Sequence, residues 1–273
     1  MITERRGVAT ARDGAELAYT IHTPDGAGNG PRLALVHSLG LTGDVWRPVV
    51  AALGDTVALT YDCRGHGRSA RLPGPYTLDT FADDLGDVLD AVGWSRVSVG
   101  GASMGGMVAQ AFAVRHPARV GGLALVDTTA WYGPDAPQRW EARARAVEEN
   151  GLPSVVEFQL SRWFTDELRA RDPAGTRRWV DDLLAGDAGC YAAACRMMGG
   201  ADLRAAVEGI AVDTAVVVGE HDYATPLAMA EDLHARIGRS TLHVIPGVRH
   251  LSLIEAPDLV AHAIRRMYQP QCS

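Results

Sequence analysis

Val97-Ser98-Val99-Gly100-Gly101-Ala102-Ser103-Met104-Gly105 decides how this chain folds and where its most reactive side chain lies. Arg96 to Gly100 has the composition of a short buried strand, and Met104 to His116 that of a helix stopped by Pro117. Between them, Gly101-Ala102-Ser103-Met104-Gly105 matches G-x-S-x-G. The bare pattern arises by chance in many chains, but a strand directly before it and a helix directly after it give it physical meaning. A sharp strand-to-helix turn leaves no space for side chains two residues to either side of the serine. It also exposes the hydroxyl and turns the N–H groups of the helix N-terminus toward the same point. The competing reading is an ordinary helix N-cap serine in a glycine-rich turn.

Outward from this turn, short apolar runs alternate with helical patterns, which predicts a mostly parallel central sheet flanked by helices. Upstream lie an antiparallel edge strand, Glu16 to Ile21, and buried strands at Leu33 to Val36 and Val57 to Tyr61. Phe81, Leu85, Val88, Leu89 and Val92 form one apolar stripe on a helix over 78–92. Downstream, Leu123 to Asp127 is a further strand. The rhythm then breaks, and from about Trp131 to Val207 only helical patterns appear, over 138–150, 154–163, 176–184 and 189–198. Alternation resumes with strands at Thr214 to Val218 and Thr241 to Ile245 and helices over 227–237 and 257–267. The expected organisation is an α/β core of residues 1–130 and 208–273, with residues 131–207 inserted as a helical cap before the last two strands. Such a cap would cover a pocket and exclude water from it.

A serine hydroxyl at neutral pH is a weak nucleophile that needs a base. Of nine histidines, His250 has the right position, in a loop after the last predicted strand. His37 and His66 also follow strands and read as structural loop residues. The base in turn needs an acid to fix its tautomer and steady its charged form. Asp222, just beyond the strand ending at Val218, gives the chain order Ser, Asp, His. Glu220, nearer the strand end, and Asp127, at the end of the strand before the cap, compete for that place. An oxyanion formed at Ser103 would need two N–H donors, one from Met104 and one from the loop after Val36, which we place at Leu39.

With 26 Lys and Arg against 33 Asp and Glu, the net charge of −7 argues against a nucleic-acid partner. No apolar run approaches a membrane span, and the polar start Met1 to Arg6 does not resemble a signal peptide. Cys63, Cys190, Cys195 and Cys272 form neither a CxxC pair nor a spaced Cys/His ligand set, so free thiols in the cytoplasm and no metal are expected. Cys63 reads as a small buried residue rather than a second nucleophile.

Taken together, Ser38-Leu39-Gly40 with Trp46, Arg64-Gly65-His66-Gly67-Arg68-Ser69, Gly101 to Gly106, Gly219-Glu220-His221-Asp222 and His250 resemble the α/β-hydrolase superfamily over nearly the whole chain. Within it, Ser38-Leu39-Gly40, Arg162-Trp163-Phe164-Thr165, Ala201-Asp202-Leu203 and Thr225-Pro226 after Asp222 are similar to the β-ketoadipate enol-lactone hydrolases. His37, where that subgroup is expected to carry Asn, Asp213, where it carries Pro, and Leu253, where it carries a polar residue, depart from the pattern. The resemblance implies cofactor-free hydrolysis of a small ester or lactone by Ser103, His250 and Asp222. An enol lactone bears a carboxylate, which favours a cation in the cap. Arg162 is the candidate, against the reading that it lies on an exposed helix face. Trp131 and Trp163 are further candidate substrate contacts, with Trp140, against plain packing. Two other functions share these features: hydrolysis of C–C bonds in ring-cleavage products, and a non-catalytic small-molecule receptor. The oligomeric state is left open.

Overall fold

The computed structural model describes residues 1–27 and 30–268 and is built on a central eight-stranded sheet flanked by helices. The strands are β1 Ile2–Thr10, β2 Glu16–Pro24, β3 Arg32–Val36, β4 Val57–Tyr61, β5 Val97–Ala102, β6 Val120–Val126, β7 Thr214–Gly219 and β8 Ser240–Ile245. Their spatial order is β1-β2-β4-β3-β5-β6-β7-β8. Only β1 with β2 and β2 with β4 pair antiparallel, and every pair from β4 to β8 is parallel. The expectation of a mostly parallel sheet is borne out.

The central strands read as unbroken apolar runs because both of their faces are covered. Leu33 to Val36, Leu123 to Val126 and Ala215 to Val218 are fully buried or nearly so. Helices α1 (Arg47–Leu53), α2 (Leu78–Ala91) and α3 (Met104–Arg115) follow β3, β4 and β5. Between β6 and β7 come α4 (Ala136–Asn150), α5 (Val156–Trp163), α6 (Asp166–Arg171), α7 (Pro173–Leu184), α8 (Ala188–Gly200) and α9 (Arg204–Val207). The chain then adds α10 (Leu227–Arg236), α11 (Ser252–Glu255) and α12 (Pro257–Arg265). Helix α1 packs against α12 and α2 against α3, so the sheet is sandwiched. No described helix is long and apolar enough to cross a membrane.

One local reading is corrected. Glu16 to Ile21 belongs to an internal strand, β2, while the edge strand is β1, which pairs with β2 from Ile2–Pro24 to Thr10–Glu16. Strand β1 carries Glu4, Arg5 and Arg6 and is largely exposed, so no hydrophobic alternation announces it. Charge on an edge strand is a usual defence against pairing with other chains. Helix α6 lies within the stretch read as helical, and its six residues bury no side chain and so leave no apolar stripe of their own.

The chain runs from β3 outward to β4 and then crosses back to β5 on the other side of β3. At such a reversal, the loops leaving the carboxyl ends of β3 and β5 diverge and open a crevice. Ser38 and Leu39 follow β3, and Ser103 follows β5, on the two banks of that crevice.

Candidate active site

Ser103 sits between β5 and α3 with φ 53° and ψ −116°, a backbone conformation rarely adopted outside glycine. The turn can be this tight only because two neighbours lack side chains. A Cβ on Gly101 would overlap the carbonyl oxygen of Gly105, and one on Gly105 would overlap that of Val36. The turn is anchored to β6, since Ser103 N–H donates to Val126 O at 3.0 Å and Thr128 Oγ1 donates to Ser103 O at 2.7 Å.

The structure brings Ser103, His250 and Asp222 together. His250 Nε2 lies 2.9 Å from Ser103 Oγ, and its Nδ1 lies 2.8 Å from Asp222 Oδ2. All three are buried, at 6%, 5% and 4% exposure. Asp222 Oδ1 accepts the N–H groups of Ala224 and Thr225 at 2.7 and 2.9 Å, and Oδ2 also accepts Thr225 Oγ1–H at 2.8 Å. Burial alone would raise the Asp222 carboxyl, but the His250 ring and the Thr225 donors outweigh it and hold the carboxyl below its ordinary value. For His250, burial disfavours the charged ring, yet the adjacent Asp222 carboxylate prevails and raises its pKa. Because a ring nitrogen facing a carboxylate must carry the proton, Nδ1 is the donor and Nε2 is left as an acceptor for the serine hydroxyl.

The rivals for the acid position lie elsewhere. Glu220 is exposed and accepts Gly247 N–H, and Asp127 accepts from Gly219 and Ser252 rather than from His250. His37 and His66 are buried in the loops after β3 and β4. Both ring nitrogens of His37 are engaged, Nδ1–H to Ser38 O at 2.8 Å and Nε2 by Cys63 N–H at 2.9 Å, which fixes the Ser38-Leu39 turn. Cys63 is fully buried, and burial pushes its thiol far up, so it holds no thiolate. Cys190 and Cys195 are buried free thiols, and Cys272 lies outside the described residues. Among the described residues no group of three or more His, Cys, Asp or Glu could hold a metal ion.

Above Ser103 opens a cavity of about 530 Å³. Its floor is Ser38, Leu39, Ser103 and His250, and its walls come from the helices between β6 and β7. The backbone N–H groups of Leu39 and Met104 have no acceptor among the described residues. Arg162 and Trp163 line this cavity, as the sequence suggested. Trp131 does not: its ring packs under the Arg204 guanidinium at 3.6 Å, and its backbone bridges to Asp202. The expectation that Trp131 contacts substrate is therefore corrected, its flat face being already covered.

Sequence reasoning missed Arg143. It lines the cavity with its guanidinium 5.0 Å from the Trp140 ring and 5.3 Å from Phe158, its terminal nitrogen donates to Tyr191 Oη, and its buried Nε has no partner among the described residues. Ala136, Trp140, Ala144 and Val147 recur at helical spacing on α4, and Arg143 falls on that inward stripe whereas Arg145 is exposed. That spacing is the signal that could have found it. Arg162 stacks 4.2 Å from Phe158 and, like Arg143, meets no carboxylate among the described residues. Burial, with the Arg143 charge added, lowers the pKa of Arg162. The cavity therefore holds the guanidinium groups of Arg143 and Arg162 without counterions of their own among the described residues.

The loop carrying His250 is tied to this helical layer. His250 N–H donates to Arg162 O at 3.2 Å and Leu251 N–H to Trp163 O at 3.1 Å, while Arg249 Nη1 reaches Ser161 O and Phe164 O.

Comparison with known proteins agrees with this fold. The family model described as the alpha/beta hydrolase fold matches residues 31–257. A 3-oxoadipate enol-lactonase of Acinetobacter baylyi is 32% identical over 240 residues, covering 88% of this chain and 89% of its own. The crystal structure of the enol-lactonase from Burkholderia xenovorans superimposes with a TM-score of 0.89 at 32% identity, covering 96% of this chain and 99% of that one. A thermophilic esterase from Thermogutta terrifontis gives 0.88 at 30% identity, covering 97% and 98%.

Proposed function

The chain belongs to the α/β-hydrolase family, and from that premise we propose that it is a serine hydrolase that opens a carboxylic ester or lactone through an acyl-enzyme on Ser103. The observation that carries this reading is the unbroken relay from Ser103 Oγ through His250 to Asp222, with steps of 2.9 and 2.8 Å, at the floor of a cavity.

His250 Nε2 takes the Ser103 proton as Oγ attacks the acyl carbon, and Asp222 steadies the imidazolium that forms. The tetrahedral oxyanion is held by the N–H groups of Leu39 and Met104, the first on the β3 loop and the second at the N-terminus of α3. The imidazolium then protonates the departing alkoxide or enolate. In the second half the neutral imidazole takes a proton from water as the water oxygen attacks the acyl carbon, and it returns that proton to Ser103 Oγ as the acyl–enzyme bond breaks and the acid leaves. Residues 131–207 act as a cap over the core of residues 1–130 and 208–273, screening the acyl-enzyme from bulk water and lining the substrate cavity. Buried free thiols fit a cytoplasmic setting.

The two guanidinium groups of Arg143 and Arg162 favour an anionic substrate, and the enol-lactonase relatives suggest a lactone that carries a carboxylate. A panel of carboxylate-bearing lactones, their methyl esters, neutral aryl esters and vinylogous diketones tests this. Carboxylate-bearing lactones are expected to give the highest kcat/KM, and Arg162→Gln to raise KM for them about 10-fold or more while leaving their neutral esters nearly unchanged. Turnover of diketones without lactones or esters would replace the reading with C–C bond hydrolysis.

Attack on the acyl carbon requires a neutral imidazole. Because Asp222 raises the His250 pKa, kcat/KM is expected to fall as pH drops through a single group titrating above the ordinary histidine value of about 6.5. A pH profile with its acid limb well below that value would contradict the assignment of His250 as the base.

A further inference from the structure

Asp127 stands one residue past β6 with no exposed surface and a positive φ of 47°, a costly place for a carboxyl group. Its two oxygens explain why it is there. Oδ1 accepts Gly219 N–H at 2.9 Å, and Oδ2 accepts Ser252 N–H at 3.0 Å and Ser252 Oγ–H at 2.6 Å. Gly219 is three residues before Asp222, and Ser252 is two residues after His250. One side chain thus joins the bases of the two loops that carry the acid and the base. Its neighbours reach the third loop, since Val126 O and Thr128 Oγ1 bond to the backbone of Ser103.

From this arrangement, and resting on the reading of Ser103, His250 and Asp222 given above, we infer that Asp127 is a positioning residue that sets the distance and angle between the Asp222 carboxylate and the His250 ring. It makes no hydrogen bond to His250 among the described residues, so it acts through the two loops. A carboxyl group suits the task because both of its oxygens accept. Burial and the nearby Asp222 charge push it up to about 8, yet either protonation state leaves both oxygens able to take the two backbone N–H groups. An asparagine keeps one acceptor. With its oxygen toward Gly219, its amide would meet Ser252 N–H donor to donor, while still reaching Ser252 Oγ.

The test uses the full-length chain with Asp127→Ala, Asp127→Asn and Ser252→Ala. It reads kcat and KM on the best ester of the panel, and the low-field proton resonance of the His250 Nδ1–H bonded to Asp222. In folded Asp127→Ala, kcat is expected to fall on the order of 100-fold with KM within about twofold, and the resonance to broaden or vanish. Asp127→Asn should lie between this variant and wild type. A folded Asp127→Ala that keeps kcat within about threefold and retains the resonance overturns the inference. Should that variant not fold, Ser252→Ala decides, because it removes one bond and leaves Asp127 in place. A severalfold lower kcat at constant KM with a broadened resonance supports positioning, and wild-type values for both overturn it. Absence of Ser103-dependent turnover in wild type would defeat the functional reading instead. The resonance would then still show whether Asp127 fixes the imidazole.

Discussion

Ser103→Ala is expected to lower kcat by about 10⁴-fold or more on every ester or lactone the protein accepts, with KM little changed. On the proposed mechanism, the variant removes the atom that would form the acyl-enzyme and leaves the rest of the site standing. The Ser103 side chain makes no capping bond to α3, and the backbone bonds holding its turn come from Val126 and Thr128, so the fold does not depend on the hydroxyl. Residual catalysis over water would come from the cavity and the N–H groups of Leu39 and Met104. Steady-state kinetics with active-site titration of wild type checks this. A kcat within about 10-fold of wild type would remove Ser103 from the mechanism.

Asp222→Asn should cost on the order of 10⁴-fold in kcat although it changes only one atom. In wild type, Asp222 Oδ1 faces two backbone N–H groups, of Ala224 and Thr225, while Oδ2 faces the His250 ring. An asparagine keeps its oxygen on the two backbone donors, because turning its amide there would set donor against donor. Its NH₂ then points at His250 Nδ1, which must accept. The ring proton moves to Nε2, and the nitrogen facing Ser103 can no longer take a proton. Melting temperature should change little, which separates this loss from unfolding. A modest loss, within about 10-fold, would mean that Asp222 does not set the tautomer.

Much of this was legible before any coordinates. The turn at Ser103 is strongly specified, because Gly101 and Gly105 occupy positions where a Cβ would overlap backbone, and such constraints leave a mark in sequence. The parallel strands were legible because burial on both faces makes them continuous apolar runs. Strand β1 was not, since an exposed edge strand carrying Glu4, Arg5 and Arg6 looks like a polar terminus. Residue chemistry alone did not separate the arginines. Arg139, Arg143, Arg145 and Arg162 have the same chemistry, and their packing turns Arg139, Arg143 and Arg162 onto the cavity while Arg145 meets solvent and Glu141. Trp131 failed for a related reason, since a large aromatic beside a pocket can equally well be consumed by a neighbour, here Arg204. Asp127 was visible as a strand-end acid, but its ties to Gly219 and Ser252 span 92 and 125 residues, contacts that no local pattern encodes.

The most direct measurement is mass spectrometry of the intact protein after exposure to a fluorophosphonate probe, followed by mapping of the modified peptide. One adduct per chain on Ser103 is expected, absent from Ser103→Ala and blocked by prior incubation with a slowly turned-over ester. Turnover of an ester by a protein that takes no adduct at Ser103, and by Ser103→Ala at the wild-type rate, would contradict it.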